Sequence, residues 1–252
     1  MSTIIIIPAR LSSTRLPNKV LLDLNGKSVV QRVYEQCLKA KKIDKVFIAT
    51  DSKKVYDSCF EFTSNVLITK ETHQSGTDRI AEAVKDIACN IVLNVQGDEP
   101  FIDPKLIDSL VDSFTRETVM SSAIHILDKV EDLKNQNVVK VTIDKNNNAL
   151  YFSRSIIPYY RDYWNDLLEN HVNIPKELRF YRHLGIYAYK KDFLLKYSNM
   201  EQSYLEQLEK LEQLRVIENG YKIKMIETTY NSIGIDTQKD YEKALELIND
   251  IE

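Results

Sequence analysis

The sequence predicts an α/β fold in which a mostly parallel central sheet lies between two layers of helices and carries an antiparallel extension. In the first half, short runs of apolar and β-branched residues alternate with segments whose apolar residues recur at helical spacing. This alternation requires parallel strands covered on both faces. From Val119 onwards, several strand-like runs follow one another with turn residues between them, which favours antiparallel pairing.

In the first half, each predicted strand is followed by a predicted helix. The first strand, Thr3–Ile7, is a run of β-branched residues typical of a strand buried on both faces. Pro8 and Pro17 exclude one continuous helix directly after it. The other predicted strands are Lys45–Thr50, Ser64–Thr69 and Ile91–Gln96, and the predicted helices are Lys27–Ile43, Asp51–Phe62, Gly76–Ala88 and Pro104–Phe114.

The second half is richer in strands. Asp144–Asn148 has the composition of a turn. Trp164–Phe180 is polar and irregular, so we expect no regular element there and treat it as a candidate mobile loop. The predicted strands are Val119–Leu127, Val138–Ile143, Ala149–Ser153, His183–Tyr189 and Tyr221–Glu227, and the predicted helices are Tyr204–Asn219 and Thr237–Ile251.

Composition excludes several classes of function. The 252 residues include 43% hydrophobic and 28% charged residues, and the formal net charge is −3. Such a chain forms an ordinary globular domain, and its slight acidity argues against general binding of nucleic acid or anionic membranes. The apolar run near the start, Ile4–Ile7, is far shorter than the ~20 residues that span a bilayer. Positive charges follow that run instead of preceding it, so we expect no signal peptide and no membrane insertion.

The cysteines favour a reducing compartment. Cys37, Cys59 and Cys89 are widely spaced, odd in number and contain no CxxC pair. The four histidines are scattered and form no HExxH motif. We therefore expect neither a disulfide framework nor a structural zinc site, and we expect a cytoplasmic protein.

A basic segment follows the first predicted strand, at the edge of the sheet where ligands bind in open α/β folds. Arg10, Arg15 and Lys19 are the only charged residues among the first 22. They could hold a polyphosphate through their side chains, because the segment lacks the glycines of a P-loop. On charge alone, a solvated basic loop is equally compatible. Further hydrogen-bond donors in the segment are Ser12, Ser13 and Thr14.

Two aspartates are candidate metal ligands. Asp98 follows a predicted buried strand, and Asp236 follows a short apolar step beside Gly234. Mg²⁺ usually takes one or two protein carboxylates together with substrate phosphates. Asp98 could instead begin the helix that follows, and Asp236 could cap the last helix. From the residues alone, the cap is the stronger interpretation of Asp236.

Other polar residues occupy unusual positions in the second half. On the predicted helix Tyr204–Asn219, Glu212 lies on the apolar arc, where it either pairs with Arg215 or faces a pocket, and we favour the pocket. His183 begins a strand with Tyr187 on the same face, and a single histidine of this kind is usually structural. Two further candidates could bind an anionic substrate or pair with surface acids, namely Arg154 and Arg161.

Taken together, the motifs resemble one enzyme family, the 3-deoxy-manno-octulosonate cytidylyltransferases, which act on the sugar acid abbreviated Kdo. The resemblance runs from about residue 3 to about residue 245. Single motifs also occur in other sugar nucleotidyltransferases, but the combination is much narrower. In chain order the motifs are IIIIPARLSSTRLPNK, HQSGTDRIAEA, NVQGDEPFI, ALYFSRSIIP, RHLGIYAY and LEKLEQLRVIENG.

The resemblance implies a fold, a reaction and a cofactor. The fold would be the Rossmann-like, three-layer fold of nucleotide-diphospho-sugar transferases. The protein would be a cytoplasmic homodimer that uses Mg²⁺ and converts CTP and Kdo into CMP-Kdo and diphosphate for lipopolysaccharide biosynthesis. Within one domain, residues 1–118 would form the nucleotide-binding half, 119–230 the sugar-binding and dimerisation extension, and 231–252 the return to the main sheet.

The resemblance also implies roles for individual residues and makes Asp236 a metal ligand instead of a cap. The catalytic group would be Asp98, Asp236, Lys19 and Arg15, of which Asp98 and Asp236 would bind the metal. The nucleotide would contact Arg10, Arg15, Lys19, Ser75 and Gly76. The sugar acid would contact Gln96, Arg154, Arg161, His183, Tyr187, Glu212 and Gln213.

Two positions depart from the family pattern. Asn18 stands where glycine is common, and asparagine tolerates unusual backbone angles. Asp78 stands where glutamate is frequent, and aspartate occurs there in relatives that activate 8-amino-Kdo. Alternative functions are therefore the same reaction on 8-amino-Kdo or another sugar acid, a catalytically silent nucleotide-binding homologue, and an interaction protein acting through the helix Tyr204–Asn219.

Overall fold

A computed structural model describes residues 2–11, 15–73, 75–231 and 233–251. The chain divides into two compact units. Unit 1 comprises Met1–Asp112, Ile186–Ser198 and Ser232–Glu252, and unit 2 comprises Ser113–Gly185 and Asn199–Asn231. No helix among the described residues is long and apolar enough to cross a membrane.

Strands and helices alternate up to Asp112, as predicted. The strands are β1 (Thr3–Pro8), β2 (Lys45–Thr50), β3 (Val66–Ile68) and β4 (Ile91–Asn94). The helices are α1 (Val29–Cys37), α2 (Lys53–Phe60), α3 (Gly76–Val84) and α4 (Pro104–Asp112), with a short 3₁₀ turn at Lys19–Leu21.

The remaining strands are β5 (Met120–Ile126), β6 (Lys140–Ile143), β7 (Ala149–Ser153), β8 (Tyr181–Lys190) and β9 (Ile223–Glu227). The remaining helices are α5 (Val130–Lys134), α6 (Trp164–Asn170), α7 (Lys191–Tyr197), α8 (Tyr204–Glu209), α9 (Leu214–Glu218) and α10 (Gln238–Ile251). Neither α5 nor α7 was predicted from the sequence.

Unit 1 contains the predicted parallel sheet. Strands β1 to β4 are all parallel in the order β3-β2-β1-β4, with Ile5 opposite Val46 on one side and Leu93 on the other. Every residue of β1 is buried, as expected for a central strand covered on both faces. The second half of β8 pairs antiparallel with β4, with Tyr187 opposite Asn94.

The first helix is shorter than predicted, because a side chain from α4 takes over the backbone beyond its end. Helix α1 ends at Cys37, whereas the periodicity continued to Ile43. The backbone N–H groups of Lys41 and Lys42 donate to the carboxylate of Asp108, each at 2.9 Å. These donors are therefore not available for further helical turns.

Unit 2 is a mixed β structure, so the prediction of an antiparallel extension is only partly right. Strand β6 pairs antiparallel with β7 and with the first half of β8. Strands β5 and β9 are parallel, with Ser122 opposite Met225. A parallel pair requires a long crossover connection, and the long chain segment between these two strands supplies it.

The predicted turn at Asp144–Asn148 is confirmed. The Oδ1 atom of Asp144 accepts hydrogen bonds from the backbone N–H groups of Asn146 and Asn148, each at 2.8 Å. Asn147 has φ 56°, in the left-handed region that asparagine tolerates. The side chain of Asp144 therefore replaces the backbone partners that a regular strand would provide.

The segment Trp164–Phe180 was predicted to be irregular, and this is wrong for its first part, which forms α6. Leu167, Ile174 and Phe180 are buried in a hydrophobic cluster with apolar residues from the segment that contains α5. Their wide spacing fits neither helix nor strand periodicity, so the sequence pattern did not reveal this packing.

The predicted helix Tyr204–Asn219 is broken into α8 and α9. Lys210 adopts left-handed backbone angles, φ 54° and ψ 47°, directly after α8. Beside the break, Arg215 and Glu206 form a buried ion pair, with Nε to Oε2 at 2.7 Å and Nη2 to Oε1 at 2.5 Å. Leu208, which a continuous helix would place on the apolar arc, is 63% exposed.

We predict that Lys210→Gly stabilises the protein by about 1 kcal/mol, because glycine adopts left-handed angles without steric cost. The free energy of unfolding in urea measures this change. Lys210→Ala is the matched control and should give no comparable gain. A continuous helix would give the opposite sign, since glycine inside a helix costs about 1 kcal/mol relative to alanine.

Candidate functional site

A cavity of about 370 Å³ lies in unit 1 at the carboxyl ends of β1 and β4. This is the edge at which ligands bind in open α/β sheets. Most of the residues predicted for the nucleotide and the metal line it. The lining comprises Pro8, Arg10, Arg15, Lys19, Val20, Gly76, Gln96, Gly97, Asp98 and Asp236.

Glycine at position 97 allows the ends of β1 and β4 to approach closely. A Cβ atom built on Gly97 would lie 2.8 Å from the carbonyl oxygen of Pro8, which is too close for any other residue without backbone movement. This contact places Asp98 beside the start of the basic segment after β1. Any substitution at Gly97 would therefore push apart the two strand ends that form the cavity.

Lys19 joins the two aspartates predicted to bind a metal. Its Nζ atom contacts Asp98 Oδ2 and lies 2.7 Å from Asp236 Oδ1. Burial lowers the pKa of Lys19, but the attraction of Asp98 and hydrogen bonds to both carboxylates outweigh it, so the pKa is raised. Lys19 is therefore a permanent cation in contact with both carboxylates.

A second cation faces Asp236. Arg15 Nη2 lies 3.1 Å from Asp236 Oδ2, and the Arg15 side chain is 64% exposed. The backbone N–H of Ile235 donates to the carbonyl oxygen of Asp98 at 2.8 Å, which ties the two aspartate-bearing segments together. These contacts bring residues from the beginning, middle and end of the sequence into one charged cluster.

The capping interpretation of Asp236 is excluded, because its neighbours cap the last helix. The N–H of Asp240 donates to Thr237 Oγ1 at 3.2 Å, and the N–H of Thr237 donates to Asp240 Oδ2 at 2.8 Å. This reciprocal pair is a capping box. The carboxylate of Asp236 faces Lys19 and Arg15 instead. Similarly, Asp103 and not Asp98 binds the first N–H groups of α4.

The start of α3 also borders the cavity. Ser75 Oγ accepts a hydrogen bond from the N–H of Asp78 at 3.1 Å and so caps α3, whose first residue, Gly76, lines the cavity. Arg10 Nη2 donates to the carbonyl oxygen of His73 at 3.4 Å. The helix N-terminus adds partial positive charge to that of the arginines and lysine.

Asn18 adopts φ 57°, in the left-handed region, as expected for a position where glycine is common. The three hydrogen-bond donors predicted in the same segment, Ser12, Ser13 and Thr14, lie outside the described residues.

The donor set fits magnesium. The carboxylates of Asp98 and Asp236 both contact one ammonium group, so they lie close enough to share one cation. Within the described ranges, no group of three or more histidine, cysteine or acidic side chains is arranged to hold a metal. Two carboxylates without nitrogen or sulfur ligands match the preference of Mg²⁺, which completes its shell with water and substrate phosphates.

Two of the residues predicted for the sugar acid meet in unit 2. His183 Nδ1 lies 3.4 Å from Gln213 Nε2, and His183 Nε2 lies 2.8 Å from Ser122 Oγ. The ring packs edge-on against Phe152, with 4.8 Å between centroids. Because the amide of Gln213 donates, Nδ1 is the acceptor and Nε2 carries the proton that faces Ser122. The two hydrogen bonds define the tautomer of His183.

His183 is uncharged, which corrects one sequence-based expectation. Burial, together with the charge of neighbouring Arg182, lowers the pKa of His183 to about 3. The sequence offered this histidine, with Arg154 and Arg161, as a positive partner for a substrate carboxylate. A neutral ring can donate or accept hydrogen bonds to hydroxyl groups but provides no charge, so the two arginines are the remaining cations.

The other predicted sugar-binding residues lie in different surroundings. Arg154 is half-buried, and its Nε and Nη1 donate to the carbonyl oxygens of Glu209 and Gln136 at 2.8 and 3.1 Å. Arg161 is exposed, and Glu212 is half-buried. In unit 1, Gln96 Nε2 donates to Asn94 Oδ1 at 3.1 Å, and Asn94 is paired with Tyr187.

Sequence reasoning missed several polar residues that support these groups. Ser122 contacts His183, Asn94 contacts Gln96, and Glu209 and Lys140 both contact Arg154. Lys140 was detectable in principle, because a lysine inside a predicted strand that proves fully buried requires buried partners. The other contacts join segments far apart in the sequence, and local patterns do not reveal them.

Comparison with known proteins agrees with this geometry. The family model for cytidylyltransferases matches residues 4–225. A 3-deoxy-manno-octulosonate cytidylyltransferase from Geotalea uraniireducens (strain Rf4) is 44% identical over 243 residues, covering 96% of each chain. One from Francisella tularensis subsp. holarctica (strain FTNF002-00 / FTA) is 47% identical over 253 residues, covering 97% of this chain and 98% of the relative.

A solved structure shares the whole fold. It is CMP:2-keto-3-deoxy-manno-octonic acid synthetase in complex with CTP, and it superposes with a TM-score of 0.91 at 34% identity over 100% of both chains. The predicted fold class, a Rossmann-like α/β fold with a mostly parallel sheet and some antiparallel strands, is therefore confirmed.

We predict that His183 contributes a pH-dependent loss of stability in acid. Its pKa is about 3 in the folded protein, below its ordinary value of 6.5, so the unfolded chain takes up the proton first as the pH falls. The stability advantage of the wild type over His183→Asn should shrink by about 1 kcal/mol between pH 7.5 and 5.5. Urea unfolding at both pH values measures it, and a constant difference would mean that the ring is not held neutral.

Proposed function

Because the chain belongs to the cytidylyltransferase family, we propose that it transfers CMP from CTP to the anomeric hydroxyl of 3-deoxy-manno-octulosonate (Kdo), with release of diphosphate. The observation that carries this proposal is the charged cluster in unit 1, where two carboxylates and two cations are in contact beside a cavity. The similarity to Kdo cytidylyltransferases over nearly the whole chain supports the choice of both substrates.

The cations suit the triphosphate. CTP carries about four negative charges, and charge-assisted hydrogen bonds to arginine and lysine are the strongest that side chains offer to phosphates. Arg10, Arg15 and Lys19 all line the cavity, as does Gly76 at the start of α3. In the proposed reaction, the sugar hydroxyl attacks the α-phosphorus in line, the bond between the α-phosphorus and the bridging oxygen breaks, and these cations stabilise the charge that collects on diphosphate.

We propose Mg²⁺ as the cofactor, held by Asp98 and Asp236. When bound there, Mg²⁺ would act as a Lewis acid toward the phosphate oxygens and lower the pKa of the attacking hydroxyl. The chain's contribution is to present the two carboxylates side by side. Lys19 remains protonated in their field, so it can follow the negative charge of the substrates.

The proposed sugar site combines charge with neutral hydrogen bonding. Arg154 and Arg161 are the cations available for the Kdo carboxylate. His183 and Gln213 are suited to the sugar hydroxyls, because they are joined by a hydrogen bond and the histidine is neutral. The other residues proposed to contact the sugar acid are Gln96, Tyr187 and Glu212.

The biological setting follows from the same family membership. We propose that the protein works in the cytoplasm as a homodimer and supplies CMP-Kdo for lipopolysaccharide biosynthesis. Three free cysteines, two of them buried, are compatible with a reducing compartment.

One residue favours a second substrate. Asp78 lies in the first turn of α3, bound through its N–H to Ser75, next to the residue that borders the cavity. Aspartate at this position is the departure that resembles enzymes acting on 8-amino-Kdo. The second candidate function is therefore the same transfer onto the amino sugar, with the phosphate chemistry unchanged.

The test is diphosphate release from CTP and Mg²⁺, with Kdo and 8-amino-Kdo supplied in parallel. We expect release that depends on the sugar acid, with a higher kcat/KM for Kdo. Reactions without sugar, and with ATP in place of CTP, serve as controls. Release with the amino sugar alone would move the substrate to the second candidate. Binding of CTP without release with either sugar would contradict the proposed reaction.

A further inference from the structure

Arg154 is held at its backbone and its side chain by two residues from other segments of unit 2. Its N–H donates to Glu209 Oε2 at 2.9 Å, and its Nε donates to the carbonyl oxygen of Glu209 at 2.8 Å. Its own carbonyl oxygen accepts from Lys140 Nζ at 2.7 Å. Both polar groups of the Arg154 backbone and the near edge of its guanidinium are therefore engaged.

Lys140 is fully buried on β6, which is rare for a lysine. Its ammonium also donates to the carbonyl oxygens of Asn135 and Val138, at 2.9 and 2.7 Å. Burial and the charge of Arg154 lower the pKa of Lys140, whereas Glu209 raises it. An apolar side chain would fill the same space without the desolvation cost, so the ammonium serves to hold these three carbonyl groups.

Glu209 reaches β7 because the helix is broken after it. It is the last residue of α8, and Lys210 turns the chain in the left-handed conformation. Its carboxylate accepts from Ser153 Oγ at 2.6 Å as well as from the N–H of Arg154. One carboxylate therefore attaches the end of α8 to two successive residues at the end of β7.

The contacts determine which edge of Arg154 remains available. A guanidinium has five N–H groups, and here Nε and one from Nη1 are used by backbone carbonyls. Among the described residues, Nη2 has no hydrogen-bond partner. The edge formed by Nη1 and Nη2 can therefore receive a carboxylate in the two-pronged geometry that arginine favours.

We propose that Glu209 and Lys140 are positioning residues that fix Arg154 so that its outer guanidinium edge meets the carboxylate of the sugar acid. This inference rests on the proposed function, in which Arg154 binds that carboxylate. Neither residue touches the substrate. Their effect is to spare Arg154 the loss of side-chain freedom that binding would otherwise require.

The first test is Glu209→Gln in the full-length protein, assayed by diphosphate release at varied Kdo and varied CTP. Glutamine cannot accept from both donors that face the carboxylate, so the KM for Kdo should rise about 10-fold. The KM for CTP and the thermal midpoint should stay near the wild-type values. Glu201→Gln, at an exposed site in the same unit, is the matched control and should change neither KM. Equal increases in both KM values would overturn the proposal.

A double-mutant cycle with Arg154→Lys shows whether Glu209 acts through Arg154. We expect Arg154→Lys to raise the KM for Kdo and Glu209→Gln to add little in that background. Additive effects would overturn the proposal. If Arg154→Lys leaves the KM for Kdo unchanged while diphosphate is still released, the assignment of Arg154 to the sugar site fails, although the transfer reaction stands.

Two further variants keep the proposal testable if Glu209→Gln does not fold. Ser153→Ala removes a single hydrogen bond to Glu209 and should raise the KM for Kdo about threefold without affecting CTP, and an unchanged KM for Kdo would contradict the proposal. Lys140→Met should shift the KM for Kdo in the same way. A lower thermal midpoint with both KM values unchanged would reduce Lys140 to a structural role and overturn its part of the inference.

Discussion

The contact of Lys19 with both Asp98 and Asp236 is the interaction on which the rest of the proposed active site depends. Two carboxylates in a cavity repel each other, and each would pay for lost hydration without a counter-charge. The ammonium of Lys19 contacts both of them, and Arg15 adds a second cation at Asp236. The close approach of β1 and β4 at Gly97 makes this arrangement sterically possible.

The second organising feature is the break between α8 and α9. The left-handed residue Lys210 stops α8 so that Glu209 reaches Arg154, and the chain then continues to Gln213, which contacts His183. The buried pair of Glu206 and Arg215 joins the two short helices across the break. A continuous helix would place these side chains on different faces, so the irregular backbone is needed for both proposed sugar contacts.

The sequence predicts the parallel half of the fold well, because the pattern there is local. The isoleucines of β1 and the helical spacing of the segments that follow it are set by burial on both faces of a sheet. The same reasoning places Asp98 at a strand end. For Asp236, the local sequence favoured a helix cap, and only the contact with Lys19 and the capping by Thr237 and Asp240 distinguish the two roles.

What the sequence does not predict depends on contacts between distant segments. No glycine or proline marks the break at Lys210, and a run of helix-forming residues masks it. The apolar residues that bury α6 have no regular spacing. The neutral state of His183 depends on its burial, which residue type alone does not reveal.

The most direct test of the central claim is a double-mutant cycle of Asp98→Asn and Asp236→Asn, with kcat for diphosphate release as the measurement. Asp57→Asn, in an exposed ion pair with Lys53, is the control for a lost surface carboxylate. If the two carboxylates form one cation site, each single variant should lose at least about 100-fold in kcat, and the double variant should be little worse than the weaker single one. Near wild-type turnover in either single variant, or losses that multiply in the double variant, would contradict a shared site.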